Sequence, residues 1–127
     1  MRLKNGQALI VGGSDEHDYE GRYASMELYD PTKGAFTATV PMGAARYKIG
    51  DTVTLLADGK ALIAGDGVRA ELYDPNARTV RPVTGLMDAA RFSATATLLA
   101  NGQVLIAGGY DGTVRVTERT WLFLPAG

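Results

Sequence analysis

Cysteine is absent from this sequence of 127 residues, and histidine occurs only once, as His17. Without cysteine the chain can form no disulfide, no zinc–thiolate site and no cysteine nucleophile. A single histidine leaves few means of acid–base chemistry, and no seryl nucleophile elbow is present. We therefore expect no catalytic residue, no bound metal and no cofactor, and a chain that is not an enzyme. The absence of cysteine does not indicate in which cellular compartment the protein works.

An excess of one charge and a long apolar run are also missing. Thirteen basic and fourteen acidic side chains leave a formal net charge of -1, which gives no electrostatic footprint for nucleic acid or an anionic membrane. No apolar run approaches the roughly 20 residues of a transmembrane helix, and the run at 8–11 is too short for a signal peptide. We expect no partnership with nucleic acid or with a membrane.

Glycine is abundant, and a glycine-rich motif occurs three times. It reads NGQALIVGG at 5–13, DGKALIAGD at 58–66 and NGQVLIAGG at 101–109. The first glycines of the three copies lie 53 and 43 residues apart, which is the period of a four-stranded propeller blade.

Two further motifs recur in phase with the first. ASMELYDP at 24–31 matches VRAELYDP at 68–75, and PMGAARY at 41–47 matches GLMDAARF at 85–92. Three motifs in one order at one period indicate tandem β-repeats, so we expect the fold to be built from repeated units.

Each motif predicts strands. Asn-Gly and Asp-Gly suit two-residue hairpin turns in which both central residues take positive φ. The continuous apolar run of the first motif is typical of a strand buried on both faces, and Asp-Pro after the second motif favours a type I turn. The predicted strands are 52–57 paired with 60–64, 94–100 paired with 103–107, the outermost strands 36–40 and 79–83, and a last strand at 113–124.

These motifs resemble the kelch repeat, in the glycine-rich form common in bacterial proteins, over essentially the whole chain. The resemblance implies an all-β fold of kelch-type β-propeller blades, each with four antiparallel strands, in a ring that one chain leaves incomplete. The implied domain organisation is a partial blade at 1–40, a complete blade at 41–85 and a partial blade at 86–127. Two positions depart from the pattern: Asp66 replaces a glycine, and only the third repeat has a tryptophan, Trp121.

Three blades would leave two apolar blade faces uncovered, which is more than a soluble monomer usually exposes. A propeller normally closes with about four to eight blades. We therefore expect either a fragment of a longer propeller or a homodimer that completes a six-bladed ring.

The resemblance implies a scaffold that binds a protein or another ligand without catalysis, with a protein or peptide as the partner and a glycan as the alternative. One alternative function is the carbohydrate-binding part of a bacterial exported enzyme or adhesin. Another is a purely structural repeat array, truncated or engineered. The copper-radical oxidases among kelch-type propellers need a tyrosine cross-linked to a cysteine, together with histidine ligands, and this chain lacks them.

The crossovers between blades supply four candidate ligand-binding residues: Arg46, Tyr47, Arg91 and Phe92. In the propellers that the chain resembles, these crossovers share a face that often binds ligands. Arginine can bind a carboxylate through two parallel hydrogen bonds. The alternative is that each arginine pairs with a repeat glutamate, Glu27 or Glu71, and clamps neighbouring blades together.

The loop at 14–22 is the longest insertion, and it supplies the candidates Asp15, His17 and Tyr19. Long loops on a rigid scaffold commonly carry function. Alternating oxygen ligands suit calcium, but the loop lacks the glycine and the distal glutamate of an EF-hand. We therefore expect a solvated loop without a metal.

Overall fold

A computed structural model describes residues 1–126 of the chain; Gly127, which ends the third predicted segment, lies outside the described residues. Within residues 1–126 the secondary structure is entirely β. The strands are β1 (Ala8–Val11), β2 (Met26–Asp30), β3 (Ala35–Ala38), β4 (Val53–Leu55), β5 (Ala61–Ile63), β6 (Glu71–Asp74), β7 (Thr79–Pro82), β8 (Thr95–Leu98), β9 (Val104–Ala107) and β10 (Thr120–Phe123). The predicted all-β class is confirmed.

The strands form three antiparallel sheets that do not close into a barrel. The first sheet has the order β1-β2-β3, the second β4-β5-β6-β7 and the third β8-β9-β10. Each sheet lies within one of the three predicted segments, 1–40, 41–85 and 86–127. Residues 1–126 contain no helix long and apolar enough to cross a membrane.

The hairpin turns differ from the predicted geometry. In the turn that opens each of the three glycine-rich motifs, only the glycine has positive φ: +88° at Gly6, +90° at Gly59 and +84° at Gly102. The preceding Asp58 instead accepts a hydrogen bond from the amide of Lys60 through its side chain, at 3.0 Å. Leu56 donates to the carbonyl of Lys60 at 2.8 Å, so the loop has three residues, with glycine in the left-handed position. Asparagine and aspartate are suited to these positions because their side chains cap the turn.

The last predicted strand, 113–124, is much shorter than expected. Only Thr120–Phe123 pairs with β9. The side chain of Asp111 accepts hydrogen bonds from the amides of Thr113 (2.9 Å) and Arg115 (3.0 Å). These bonds hold residues 111–115 in a compact turn. Residues 116–119 then run back beside the residues that follow β9, joined to them by a bridge between Val116 and Tyr110 and by two backbone hydrogen bonds.

Two apolar interfaces stack the sheets side by side. The first interface lies between the first and second sheets and includes Leu9, Leu28, Ile63 and Tyr73. The second interface lies between the second and third sheets. All three residues of β5 are fully buried, as predicted for a strand covered on both faces, whereas Ile10 of β1 is 40% exposed. The second sheet is therefore the covered centre of the stack.

Candidate functional site

Four aromatic side chains from different parts of the chain meet at one place, which we call the aromatic patch: Tyr19, Tyr47, Phe92 and Tyr110. The ring centroid of Tyr47 lies 6.0 Å from that of Tyr19 and 5.5 Å from that of Phe92. Phe92 in turn lies 6.0 Å from Tyr19 and 5.6 Å from Tyr110. Most of these pairs have the edge-to-face geometry that aromatic rings prefer.

The three sheets each contribute to the patch through a loop or a crossover. Tyr19 comes from the loop between β1 and β2 and is 50% exposed, whereas Tyr47 and Phe92 come from the two crossovers between sheets and are buried. Tyr110 follows β9 and is half-buried. The patch therefore has a buried floor and an exposed rim.

Two cations accompany the rings. The guanidinium carbon of Arg22 lies 3.8 Å from the ring centroid of Tyr19. The ammonium nitrogen of Lys48 lies 5.0 Å from the centroid of Tyr47 and 5.9 Å from that of Tyr110. The pKa of Lys48 is raised, mainly by the nearby hydroxyl of Tyr110, so Lys48 keeps its charge. The patch combines π faces, hydroxyl groups and positive charge, which are groups that bind ligands by stacking and by electrostatic attraction.

The carboxylate of Asp66 bonds to two residues of the aromatic patch and its surroundings, Arg22 and Tyr47. Its buried carboxylate accepts hydrogen bonds from Arg22 Nη1 and from the backbone amide of Tyr47, both at 2.9 Å. Burial raises the pKa of Asp66 in spite of these two donors. Asp66 thus links the first sheet's long loop, through Arg22, to the crossover that carries Tyr47.

Arg46 is buried between the first and second sheets, away from the exposed rim. Its side chain donates to Glu71 Oε2 from Nε (3.0 Å) and Nη2 (2.9 Å), and to the carbonyls of Gly65 (2.5 Å) and Arg69 (2.7 Å). Its backbone carbonyl accepts a hydrogen bond from Gly13 of the first sheet at 2.8 Å. Arg46 thus pairs with the repeat glutamate Glu71 of its own segment, 41–85, and contacts the first segment through its backbone.

Arg91 is buried like Arg46 but has a different partner. It donates to both carboxylate oxygens of Asp88, at 2.8 and 2.9 Å, and not to a repeat glutamate. The reason lies in the strand register: Glu71 pairs with Ile63, and Trp121 pairs with the equivalent Ile106. Trp121 thus occupies the glutamate position, and its ring centroid lies 5.5 Å from the guanidinium carbon of Arg91.

Asp15 and His17 lie together in the long loop but outside the aromatic patch. Asp15 Oδ1 accepts a hydrogen bond from the His17 amide at 2.8 Å and lies 3.0 Å from His17 Nδ1. With Glu16, they place potential ligand atoms within 4.8 Å of one another, and Glu16 and His17 are exposed.

The structure thus brings three of the seven predicted site residues into one patch: Tyr19, Tyr47 and Phe92. Sequence reasoning missed four contributors, namely Arg22, Lys48, Asp66 and Tyr110. Asp66 had left a signal, because it interrupts the glycine pattern of the repeat. The sequence gives no signal for Arg22, Lys48 and Tyr110, since their role depends on contacts between sheets.

Comparisons with known proteins bear on the fold. No family model and no curated protein matches the sequence significantly. Among solved structures, the chain is similar to a fungal alcohol oxidase in complex with copper, with a TM-score of 0.68 and 14% sequence identity. The likeness is one of fold. It covers 97% of this chain and 27% of the oxidase chain, so this chain spans about a quarter of that protein.

Proposed function

We propose that the chain is a kelch-type β-propeller segment that serves as a binding scaffold without catalysis, and that it binds a peptide or a glycan at the aromatic patch. One observation carries this proposal: four aromatic rings from all three sheets lie within 6.0 Å of a neighbouring ring, beside two cations. An exposed aromatic rim supported by buried neighbours is the arrangement that binding sites on rigid scaffolds use.

The kelch assignment has two supports. The three sheets follow the order of the three sequence repeats, and strands that are equivalent in the repeat take equivalent places in their sheets. The fold also resembles part of a larger oxidase chain.

Copper chemistry of the kind named for that oxidase does not fit the residues of this chain. Copper is held mainly by imidazole and thiolate ligands. Here the single histidine is exposed in the long loop, outside the aromatic patch, and there is no cysteine. Binding without catalysis is therefore the function that we propose.

The exposed aromatic ring and the positive charge of the patch suit either a glycan or a peptide. A sugar ring stacks on an exposed tyrosine, whereas a peptide carboxylate pairs with Lys48 and its side chains pack on the rings. Screening the whole chain against an oligosaccharide array and a peptide array identifies the class.

Binding of the best array ligand should depend on Tyr19. Tyr19→Ala removes the exposed ring and should weaken binding by about tenfold. Tyr23→Ala is the matched control, because Tyr23 is also exposed and lies only four positions further along the chain, but its ring is not part of the patch. Isothermal titration calorimetry measures both affinities. Equal affinities for the wild type and Tyr19→Ala, or no ligand on either array, would contradict the proposal.

A further inference from the structure

Asp66 stands at a position where the other two glycine-rich motifs have a glycine, Gly13 and Gly109. Both glycines have positive φ, +108° and +81°. Asp66 has a φ of +41°, in a region that is unfavourable for a residue with a Cβ, although aspartate tolerates it better than most. The backbone at this position is therefore better suited to glycine than to aspartate.

The carboxylate of Asp66 is also in an unfavourable place. Its side chain is only 1% exposed, and burying a carboxylate is costly unless its partners compensate for the lost water. Burial outweighs those partners, because the pKa of Asp66 is raised. Unfavourable backbone angles and buried ionisable groups cluster at functional sites, so this aspartate indicates a role other than stability.

Asp66 contacts residues from three separate parts of the chain that meet at the aromatic patch. Its carboxylate accepts hydrogen bonds from the side chain of Arg22 and the amide of Tyr47, both at 2.9 Å. Its own amide donates to the carbonyl of Arg91 at 2.7 Å, directly before Phe92. A glycine could make the last of these bonds but neither of the first two.

Arg22 connects Asp66 to the exposed ring of Tyr19. The guanidinium carbon of Arg22 lies 3.8 Å from the centroid of that ring. The side chain of Arg22 is 25% exposed, and within residues 1–126 Asp66 is the one carboxylate that pairs with it. A long arginine side chain at the surface keeps a single geometry only when a partner orders it, because ordering costs entropy. Asp66 supplies that partner.

We propose that Asp66 is a positioning residue for ligand binding at the aromatic patch: it holds Arg22 against one face of Tyr19 and so keeps the exposed ring in one orientation. The inference rests on the proposed function, because it concerns the same site. Since its side chain is buried, Asp66 acts through Arg22 and Tyr47 and not on the ligand itself. It lowers the entropy that the site would otherwise lose when the ligand orders it.

The position of Arg22 can be measured without a ligand. Protons held beside the face of an aromatic ring resonate upfield in NMR spectra, so the side-chain signals of Arg22 should be shifted upfield in the wild type. Tyr19→Ala should remove the shift because it removes the ring. Asp66→Gly should remove it although the ring is still present. Asp66→Asn should reduce it, because the amide keeps an acceptor for Tyr47 but has no negative charge for Arg22.

The affinity for the best array ligand, measured by calorimetry, tests the consequence for binding. Asp66→Gly should weaken binding about tenfold, because Arg22 and Tyr19 then have to be ordered by the ligand. Gly34→Ala is the matched control, since it places a Cβ at a φ of +61° in the turn between β2 and β3, outside the patch. It should change the affinity by less than about twofold. Both variants should keep a melting temperature within about 10 °C of the wild type.

The outcomes separate this inference from the proposed function. No ligand on either array, or equal affinities of the wild type and Tyr19→Ala, would overturn both. Wild-type affinity of Asp66→Gly, together with weak binding by Tyr19→Ala, would overturn the positioning role alone. Unchanged Arg22 signals in Asp66→Gly would also overturn it. So would an equal loss of affinity in Gly34→Ala, because the loss would then follow from stability.

Discussion

Replacing Arg46 by methionine tests how much its buried ion pair with Glu71 stabilises the fold. Methionine retains part of the apolar stem but none of the four hydrogen bonds that the arginine donates. The carboxylate of Glu71 then stays buried with the amide of Gly43, at 2.6 Å, as its remaining donor. Two backbone carbonyls lose a donor as well.

The magnitude follows from this geometry. Removing one member of a buried, hydrogen-bonded ion pair typically costs about 3–5 kcal/mol, because the other charge is left without its partner. For a domain of this size, 1 kcal/mol corresponds to a shift in melting temperature of about 3–5 °C. Arg46→Met should therefore lower the melting temperature by about 10–25 °C.

Arg91→Met is the matched control in the equivalent position. Its only carboxylate partner among residues 1–126, Asp88, has a side chain that is 32% exposed and also lies 3.4 Å from Arg119. Such a pair is worth about 1 kcal/mol or less, so the melting temperature should fall by about 5 °C or less. Differential scanning calorimetry on both variants measures the shifts. Equal shifts, or a shift below about 5 °C for Arg46→Met, would refute the reasoning.

Two further predictions concern Asp66 and a glycine. Burial raises the pKa of Asp66, so the folded chain keeps a proton that the unfolded chain releases, and this residue makes stability fall as the pH rises above 3.8. In urea unfolding from about pH 3 to pH 7, Asp66→Asn should remove this fall in stability. Asp88→Asn should instead remove a loss of stability at low pH, because Arg91 lowers the pKa of Asp88. The same pH dependence in both variants would contradict this. Gly12 and Gly34 have similar φ values, +58° and +61°, but a Cβ at Gly12 would lie 2.3 Å from the carbonyl oxygen of Arg46, whereas one at Gly34 would meet nothing within 4 Å. Gly34→Ala should cost about 1–2 kcal/mol and Gly12→Ala about 1–3 kcal/mol more, and equal costs in chemical unfolding would count against the close approach.

The sequence was sufficient to predict the all-β fold class, because the repeats encode strands and turns in local patterns. The details of the turns were not predictable in the same way. Asp58-Gly59 fits a two-residue turn and a three-residue turn equally well by composition, and side-chain capping by Asp58 decides between them. Residues 113–115 looked like part of a strand because the capping role of Asp111 is not visible in the pattern.

The candidate site was only partly predictable for a related reason. Tyr47 and Phe92 occupy equivalent positions in the repeat, and Tyr19 lies in the insertion, so all three could be found from the sequence. Lys48 and Tyr110 acquire their role only when loops from different sheets approach each other. Long-range packing of this kind leaves no trace in local spacing.

The most direct test of the binding proposal is to map where the best array ligand contacts the chain. Chemical-shift changes measured by NMR on the isotope-labelled protein would locate the contact residue by residue. We predict that the largest changes fall on Tyr19, Lys48 and Tyr110. Changes confined to residues outside the aromatic patch would contradict the account.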